Sequence, residues 1–579
     1  MYYFFLVLTL LLTDLYLFLN RNLWISLLFT FIALILFILL HKKYLKGILG
    51  FLCFVVVMVA IVLLTSAPKK LKPATFEGAK ITDPIHVTEG TLTGVYNQDE
   101  SVEVYAGIPY AQAPVGDLRW KEPQDALPYD EVLAADHFAP MSMQKQTNQA
   151  ISSLSEIIFY HNINRTIHDR YTPMMSEDSL YLNIYKPAGN KENLPVVFYV
   201  HGGSLTTGQS WWEDYNGESF AKNDVIFVTF GYRLGALGYY ADENLQVESP
   251  NHTTGMYGFL DQVKALQWVN ENIENFGGDS SNITIAGESA GSSSVNALST
   301  SPLTKGLFKY AIAESSSITA KTPAHSYMNF DQAIALGQSL RDDLHAYTPE
   351  ELRNVPAEKI ANTSTTYGTI NAMTNDGYAL TKSPYETYLA NEQNEQALLT
   401  GYNEHDGDFF MLLSGNINAK NYAEKIQESY PDIADQLLQM YPATTDSQAK
   451  ENYTTIYNAY TFGYGHHVWS NLASQNEPVY RYYFTKENGS IGSNHTGELP
   501  YAYGNLWVNP SAYNDSDYAL SNTMMHAWIQ FAKTGNPNSP DFNLWQQYSN
   551  NNVIEFGEQV RMIQDPNIAI YQLLDSKNQ

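Results

Sequence analysis

The chain has 579 residues, with 60 acids against 33 Lys and Arg, a formal net charge of −27 and 13% aromatic residues. So negative a protein repels nucleic acid, and so many aromatic side chains exclude an intrinsically disordered chain. The one cysteine, Cys53, excludes a disulfide framework, cysteine-ligated zinc and thiol catalysis in everything downstream of it.

The segment before Phe76 differs from the rest. It holds one acid, Asp14, against seven bases, and carries apolar runs at about 2–20, 23–40 and 48–65. Each run is close to the ~18–20 residues that cross a bilayer's hydrocarbon core, and "NRN" (Asn20–Asn22) separates the first from the second. A cleaved signal peptide fits poorly, because no basic run precedes the apolar start and no small-residue cleavage site follows. The expectation is a multi-pass, membrane-embedded leader over 1–66 that contacts the lipid bilayer, a linker over 67–86 and a large body over 87–579. With "HKKYLKG" (His41–Gly47) cytoplasmic, the positive-inside rule puts the body outside the cell, although "PKKLKP" (Pro68–Pro73) then lies outside too.

Beyond the linker, short apolar runs alternate with helical patterns, which predicts an α/β fold around a large, mostly parallel sheet. "LPVVFYV" (Leu194–Val200) and "VIFVTF" (Val225–Phe230) read as buried strands. "FLDQVKALQWVNENI" (Phe259–Ile273) has helical spacing and stops at "FGG". "ITIA" (Ile283–Ala286), "YAIAE" (Tyr310–Glu314), "QALLTG" (Gln396–Gly401) and "PVYRYYF" (Pro478–Phe484) complete the strands that matter.

The chemistry begins at "ITIAGESAGSSS". A serine between two glycines, entered from a strand and left by a small-residue helix start, suits a turn that pushes Ser289 into a cleft. The pentapeptide alone is a weak signal. A serine hydroxyl needs a base, an acid to orient that base, and donors for an oxyanion. The donors expected are the N–H groups of Gly202 and Gly203, in "HGGS" after the strand Leu194–Val200, and of Ala290. The base must be a downstream histidine. His466 and His467 lie in a helical pattern, whereas His495, in the Gly/Ser/Asn-rich "GSNHTGELPY", follows a strand. The acid falls in "TGYNEHDGDFF", where spacing leaves Glu404, Asp406 and Asp408 open.

Several blocks in order then resemble the type-B carboxylesterase/lipase family, which includes cholinesterases and bacterial para-nitrobenzyl esterases. They are "YAGIPYAQAPVGDLRW" (Tyr105–Trp120), "EDSLYLNIYKP" (Glu177–Pro187), "GYRLGALGY" (Gly231–Tyr239) and "GFLDQVKALQWVNENIENFGGD" (Gly258–Asp279), with the serine signature at Phe276–Gly291. The resemblance spans roughly Val87–Gly557 and implies an α/β-hydrolase fold. It points to Asp406 as the acid, in "GYNEHDG", where the family usually has glutamate; Glu404 is the substitute if the shorter side chain falls short. It selects His495 by the "HTGELPY" run. It places Ser315 and Glu498 as supports behind the triad, and Glu288 as either an electrostatic tuner or a simple hydrogen-bonded neighbour. Family cysteines that often form a disulfide align near Ser142 and Ser179, so this loop is expected to be held by packing alone.

The implied function is a membrane-anchored serine carboxylic ester hydrolase acting through Ser289, His495, Asp406 and an acyl-enzyme on a small-molecule ester. No metal or organic cofactor is implied, no nucleic-acid partner is expected, and the sequence does not fix an oligomeric state. Two alternatives share the fold: an inactive binding or adhesion module, and an amidase or peptidase on the same triad. Trp211 and Trp212 are candidates either to line the substrate pocket or to pack the loop after "HGGS" onto the body.

Overall fold

The computed structural model describes residues 2–20, 23–41, 47–64, 70–145, 148–159, 173–364, 372–411, 415–489 and 491–578. By chain contact it divides into two units. One comprises Met1–Lys72, Gln146–Met174 and Val508–Ala512, and the other Pro73–Lys145, Met175–Trp507 and Tyr513–Gln579.

The smaller unit contains helices α1 (Tyr2–Leu19), α2 (Leu23–His41), α3 (Gly47–Leu64) and α4 (Gln149–Phe159). The three apolar runs thus form helices close to the ranges read from the sequence. Asp14, the acid inside the first run, accepts a hydrogen bond from the Thr30 hydroxyl of α2. Over the described residues no helix is long and apolar enough to cross a membrane. The basic residues Lys42, Lys43 and Lys46, used above to orient the leader, lie outside the described residues.

The larger unit is built on an eleven-stranded sheet. In chain order its strands are β1 (Val95–Tyr96), β2 (Val102–Pro109), β3 (Tyr181–Pro187), β4 (Leu194–Val200), β5 (Ile226–Phe230), β6 (Gly278–Glu288), β7 (Tyr310–Glu314), β8 (Leu398–Asn403), β9 (Val479–Phe484), β10 (Asn552–Phe556) and β11 (Val560–Gln564). In space they run β11-β10-β9-β8-β7-β6-β4-β5-β3-β2-β1. The stretch from β10 to β5 is parallel throughout, while β1, β2, β3 and β11 pair antiparallel at the two sides. The sheet is therefore mixed, with a parallel centre. Its central strands are buried on both faces, which is why they read as unbroken apolar runs instead of alternating ones.

Helices α5 (Tyr257–Asn272), α6 (Ala290–Thr300), α7 (Asp446–Asn458), α8 (Tyr464–Ala473) and α9 (Asp515–Thr534) belong to the same unit. The helix read as Phe259–Ile273 begins two residues earlier, and Gly277 ends its last turn in the left-handed conformation at φ 85°.

The linker expected over 67–86 is corrected from Pro73 onward. Pro73 bridges to His137, the N–H of Ala74 bonds Asp136, Thr82 is buried and accepts from the N–H of Gly94, and Ile85–Val87 is a short strand. These backbone groups are satisfied by the body, so the segment is packed structure and not a tether.

Candidate active site

Four parallel strands deliver the site from their carboxyl ends, where loops of such sheets converge. The turn from β6 into α6 places Ser289 at φ 55° and ψ −127°, outside the usual regions for a residue with a side chain. One hydrogen bond holds that strain, and two glycines make room for it. The Ser289 N–H donates to the carbonyl of Glu314 at the end of β7, at 2.8 Å. The flanking glycines permit the approach: a Cβ on Gly291 would sit 2.0 Å from the Val200 carbonyl oxygen, and one on Gly287 would sit 2.6 Å from the Gly291 carbonyl carbon. The spacing of the two glycines is thus a packing requirement between β6, α6 and β4.

Asp406 lies on the turn after β8 and His495 on the loop after β9. The Asp406 carboxylate accepts from His495 Nδ1 at 2.7 Å, and His495 Nε2 meets Ser289 Oγ at 2.8 Å. With the Nδ1 proton held by Asp406, the neutral ring leaves Nε2 free to accept the serine proton. Asp406 is fully buried and its other oxygen accepts the Asn403 N–H at 2.8 Å. The structure therefore pairs the histidine with Asp406, not with Glu404. Glu404 groups with His405 and Glu487, and Asp408 pairs with His405. His466 and His467 stay on α8, bonded to Thr400 and Asp575 respectively.

The loop after β4 brings Gly202 beside the serine, since a Cβ on Gly202 would lie 3.0 Å from the Ser289 Cβ. Gly203 has φ 108°, and a Cβ there would lie 2.2 Å from the Thr207 carbonyl oxygen. Among the described residues none accepts a hydrogen bond from the N–H of Gly202 or Gly203. Ala290, buried, opens α6 directly after the serine. His201 anchors the loop: its Nδ1 donates to the Gly202 carbonyl at 2.8 Å, and burial pushes its pKa down to about 4, so it stays neutral. Trp211 packs against Phe138 at 6.0 Å between ring centres and is buried, in keeping with the packing alternative.

Behind the serine lies a set of buried carboxylates. Glu498 accepts from Ser315 Oγ at 3.1 Å and from the Asn403 side-chain amide. Burial first, then the charge of Asp406, raises its pKa to about 7. Glu314 accepts from Tyr503 OH at 2.7 Å and Trp528 Nε1 at 3.0 Å, and burial with the nearby Glu498 raises it to about 8. Glu288 places Oε1 3.3 Å from His495 Nε2, and burial drives its pKa well above the ordinary carboxylate range. Burial opposes charge on His495, but Glu288 and the Asp406 bond outweigh it and raise the imidazole to about 9.

Ser142 and Ser179 do more than pack. Both are buried, their Oγ atoms lie 3.0 Å apart, and Ser142 Oγ donates to the Tyr232 carbonyl at 2.6 Å. A parallel pairing of Met141–Ser142 with Met175–Ser176 lies beside them. The expectation of a loop held by packing alone is corrected to hydrogen-bonded closure. Sequence reasoning missed Asn403, Glu314, Asn458 and the rings of Phe410 and Phe462, which stand 5.4 and 5.2 Å from the His495 ring. Asn403 and Phe410 lie in "TGYNEHDGDFF" and Glu314 ends the strand "YAIAE", whereas Asn458 and Phe462 lie in stretches without a motif.

A parallel-centred sheet with a serine on a strand-to-helix turn, an acid and then a histidine in chain order, defines an α/β-hydrolase. The comparisons narrow the class. The profile of the Carboxylesterase family matches residues 82–572. Fumonisin B1 esterase of Sphingopyxis macrogoltabida is 30% identical over 494 residues, covering 82% of this chain and 86% of that protein. Para-nitrobenzyl esterase of Bacillus subtilis (strain 168) is 30% identical over 467 residues, covering 78% and 90%. The carboxylesterase structure from Geobacillus stearothermophilus at pH 6.2 superposes with a TM-score of 0.72 at 29% identity, over 85% of this chain and 100% of that one. The chain belongs to the carboxylesterase family and is a carboxylic ester hydrolase.

Proposed function

We propose that the protein is a membrane-anchored serine esterase in which Ser289 is the nucleophile, His495 the general base and acid, and Asp406 the residue that orients the imidazole. The observation that carries this reading is the unbroken chain from Ser289 Oγ through His495 to the buried Asp406, with bonds of 2.8 and 2.7 Å. Ser289 Oγ attacks the ester carbonyl as its proton passes to His495 Nε2. The oxyanion that forms is met by the N–H groups of Gly202, Gly203 and Ala290, and one such donor typically lowers the barrier by about 3 kcal/mol. Collapse breaks the bond to the alcohol, which leaves with the proton from His495. Water, deprotonated by the same nitrogen, then attacks the acyl-enzyme and releases the acid and free Ser289.

The substrate class is a small-molecule ester. Anchoring is supported by the composition of the leader, whose three helices are each drawn from an apolar run with one acid, Asp14, among them. The charge pattern of the leader favours an external body.

The deciding experiment is turnover of short- and long-chain para-nitrophenyl esters by the full chain and by Ser289→Ala. The variant is expected to lose ~10⁴-fold or more in kcat at unchanged fold. Equal turnover by both proteins would overturn the nucleophile assignment, and no turnover by either on any chain length would favour a binding module.

A further inference from the structure

Asp406 has a single methylene between backbone and carboxylate, so the position of its oxygen follows the position of its Cα closely. What fixes that Cα is a side chain from another part of the molecule. Asn458, at the end of α7, is buried and bonds the acid-bearing turn three times. Its Oδ1 accepts the Gly407 N–H at 2.5 Å, and its Nδ2 donates to the Glu404 carbonyl at 3.1 Å and to Asp408 Oδ1 at 3.2 Å. These contacts bracket Asp406 on both sides without touching it. They demand the glycine that follows it, since a Cβ on Gly407 would sit 2.2 Å from Asn458 Oδ1.

The opposite side of the turn is tied to the histidine loop. The His405 N–H donates to the Ser493 carbonyl at 3.1 Å, and Asn403 Nδ2 donates to the Asn494 carbonyl at 2.9 Å. Directly after Asn458 the helix widens into a π-turn over Ala459–Gly463, an irregularity often found at functional sites. That turn sets Phe462 against the His495 ring at 5.2 Å between centres. One short stretch of chain thus grips the turn on either side of the acid and walls the imidazole.

We propose that Asn458 is a positioning residue for the reaction: it holds the 404–408 turn at the distance from which the short carboxylate of Asp406 reaches His495 Nδ1. The inference rests on the reading of Ser289, His495 and Asp406 given above. Without Asn458, the Gly407 N–H and the Glu404 carbonyl lose their partner and the turn relaxes away from the histidine. A misplacement of ~1 Å in such a relay costs up to about 10²-fold in rate.

The test is a double-mutant cycle with para-nitrophenyl butyrate on the full chain, using Asn458→Ala, Asp406→Asn and the pair. Asn458→Ala is expected to lower kcat about 10- to 100-fold with KM within about twofold, and to cause little further loss in the Asp406→Asn background. Should Asn458→Ala not fold, Asn458→Asp carries the same cycle, because it keeps the acceptor for Gly407 and loses the donor to Glu404 and Asp408. An unchanged kcat, or the same fractional loss in both backgrounds, would overturn the inference. Undiminished turnover by Ser289→Ala would instead overturn the site reading beneath it, so the two failures are told apart.

Discussion

His495 sits between two acids with different tasks. Asp406 holds Nδ1 from one side, while Glu288 stands 3.3 Å from Nε2, the nitrogen that also meets Ser289. Burial penalises charge on both Glu288 and the imidazole, yet each stabilises the opposite charge on the other, so the two groups titrate as a linked pair. The base works only when neutral, so its pKa sets the acid limb of kcat/KM. Removing the carboxylate in Glu288→Gln takes away an interaction that raises the histidine above its ordinary value. The acid limb is therefore expected to move to lower pH, read from the pH profile of kcat/KM. An unmoved limb would show that Glu288 carries no charge beside the ring and is a neighbour only.

At the scale of elements, the ends of β8 and β9 carry a second acid pair, remote from the serine. Glu395, buried, precedes β8 and Glu477, partly buried, precedes β9, and Tyr388 OH donates to Glu395. Burial raises Glu395 to about 7, and burial with the charge of Glu395 raises Glu477 to about 10. Both folded values lie above the unfolded one, so the stability they contribute is complete below about pH 4.5 and is lost as pH climbs through the folded values. Glu477→Gln keeps a hydrogen-bonding side chain but cannot ionise. Its melting temperature is expected to fall less than that of the native chain between pH 6 and pH 10, and parallel curves would refute this. The same strands show what was legible beforehand. Buried parallel strands announce themselves as apolar runs, and the glycines around Ser289 announce a turn because only hydrogen fits against Val200. Asn458 announced nothing. Its role comes from a helix folding back onto a turn some fifty residues earlier, and a buried amide on a helix has no signature distinct from a surface one. Spacing also left Asp406 and Glu404 unresolved, because both lie in one turn and only the closed fold decides which of them faces the imidazole.

For the whole molecule, the leader and the body make separable demands. The body begins with packed structure at Pro73, and all the residues proposed for chemistry lie in the larger unit. The full chain is expected to remain in the membrane pellet after alkaline carbonate extraction, while a chain starting at Pro73 is expected in the soluble fraction. Release of the full chain by carbonate would overturn the anchor. Digestion of the body by protease added to intact cells is expected for an external orientation, and protection would reverse it. Ser142 and Ser179 close their loop through hydroxyls 3.0 Å apart, and the only thiol, Cys53, sits in the leader. A clasp made of alcohols has no oxidised and reduced form. The body therefore needs neither a thiol oxidase nor a disulfide isomerase to close that loop, and a change of redox conditions leaves the clasp as it was.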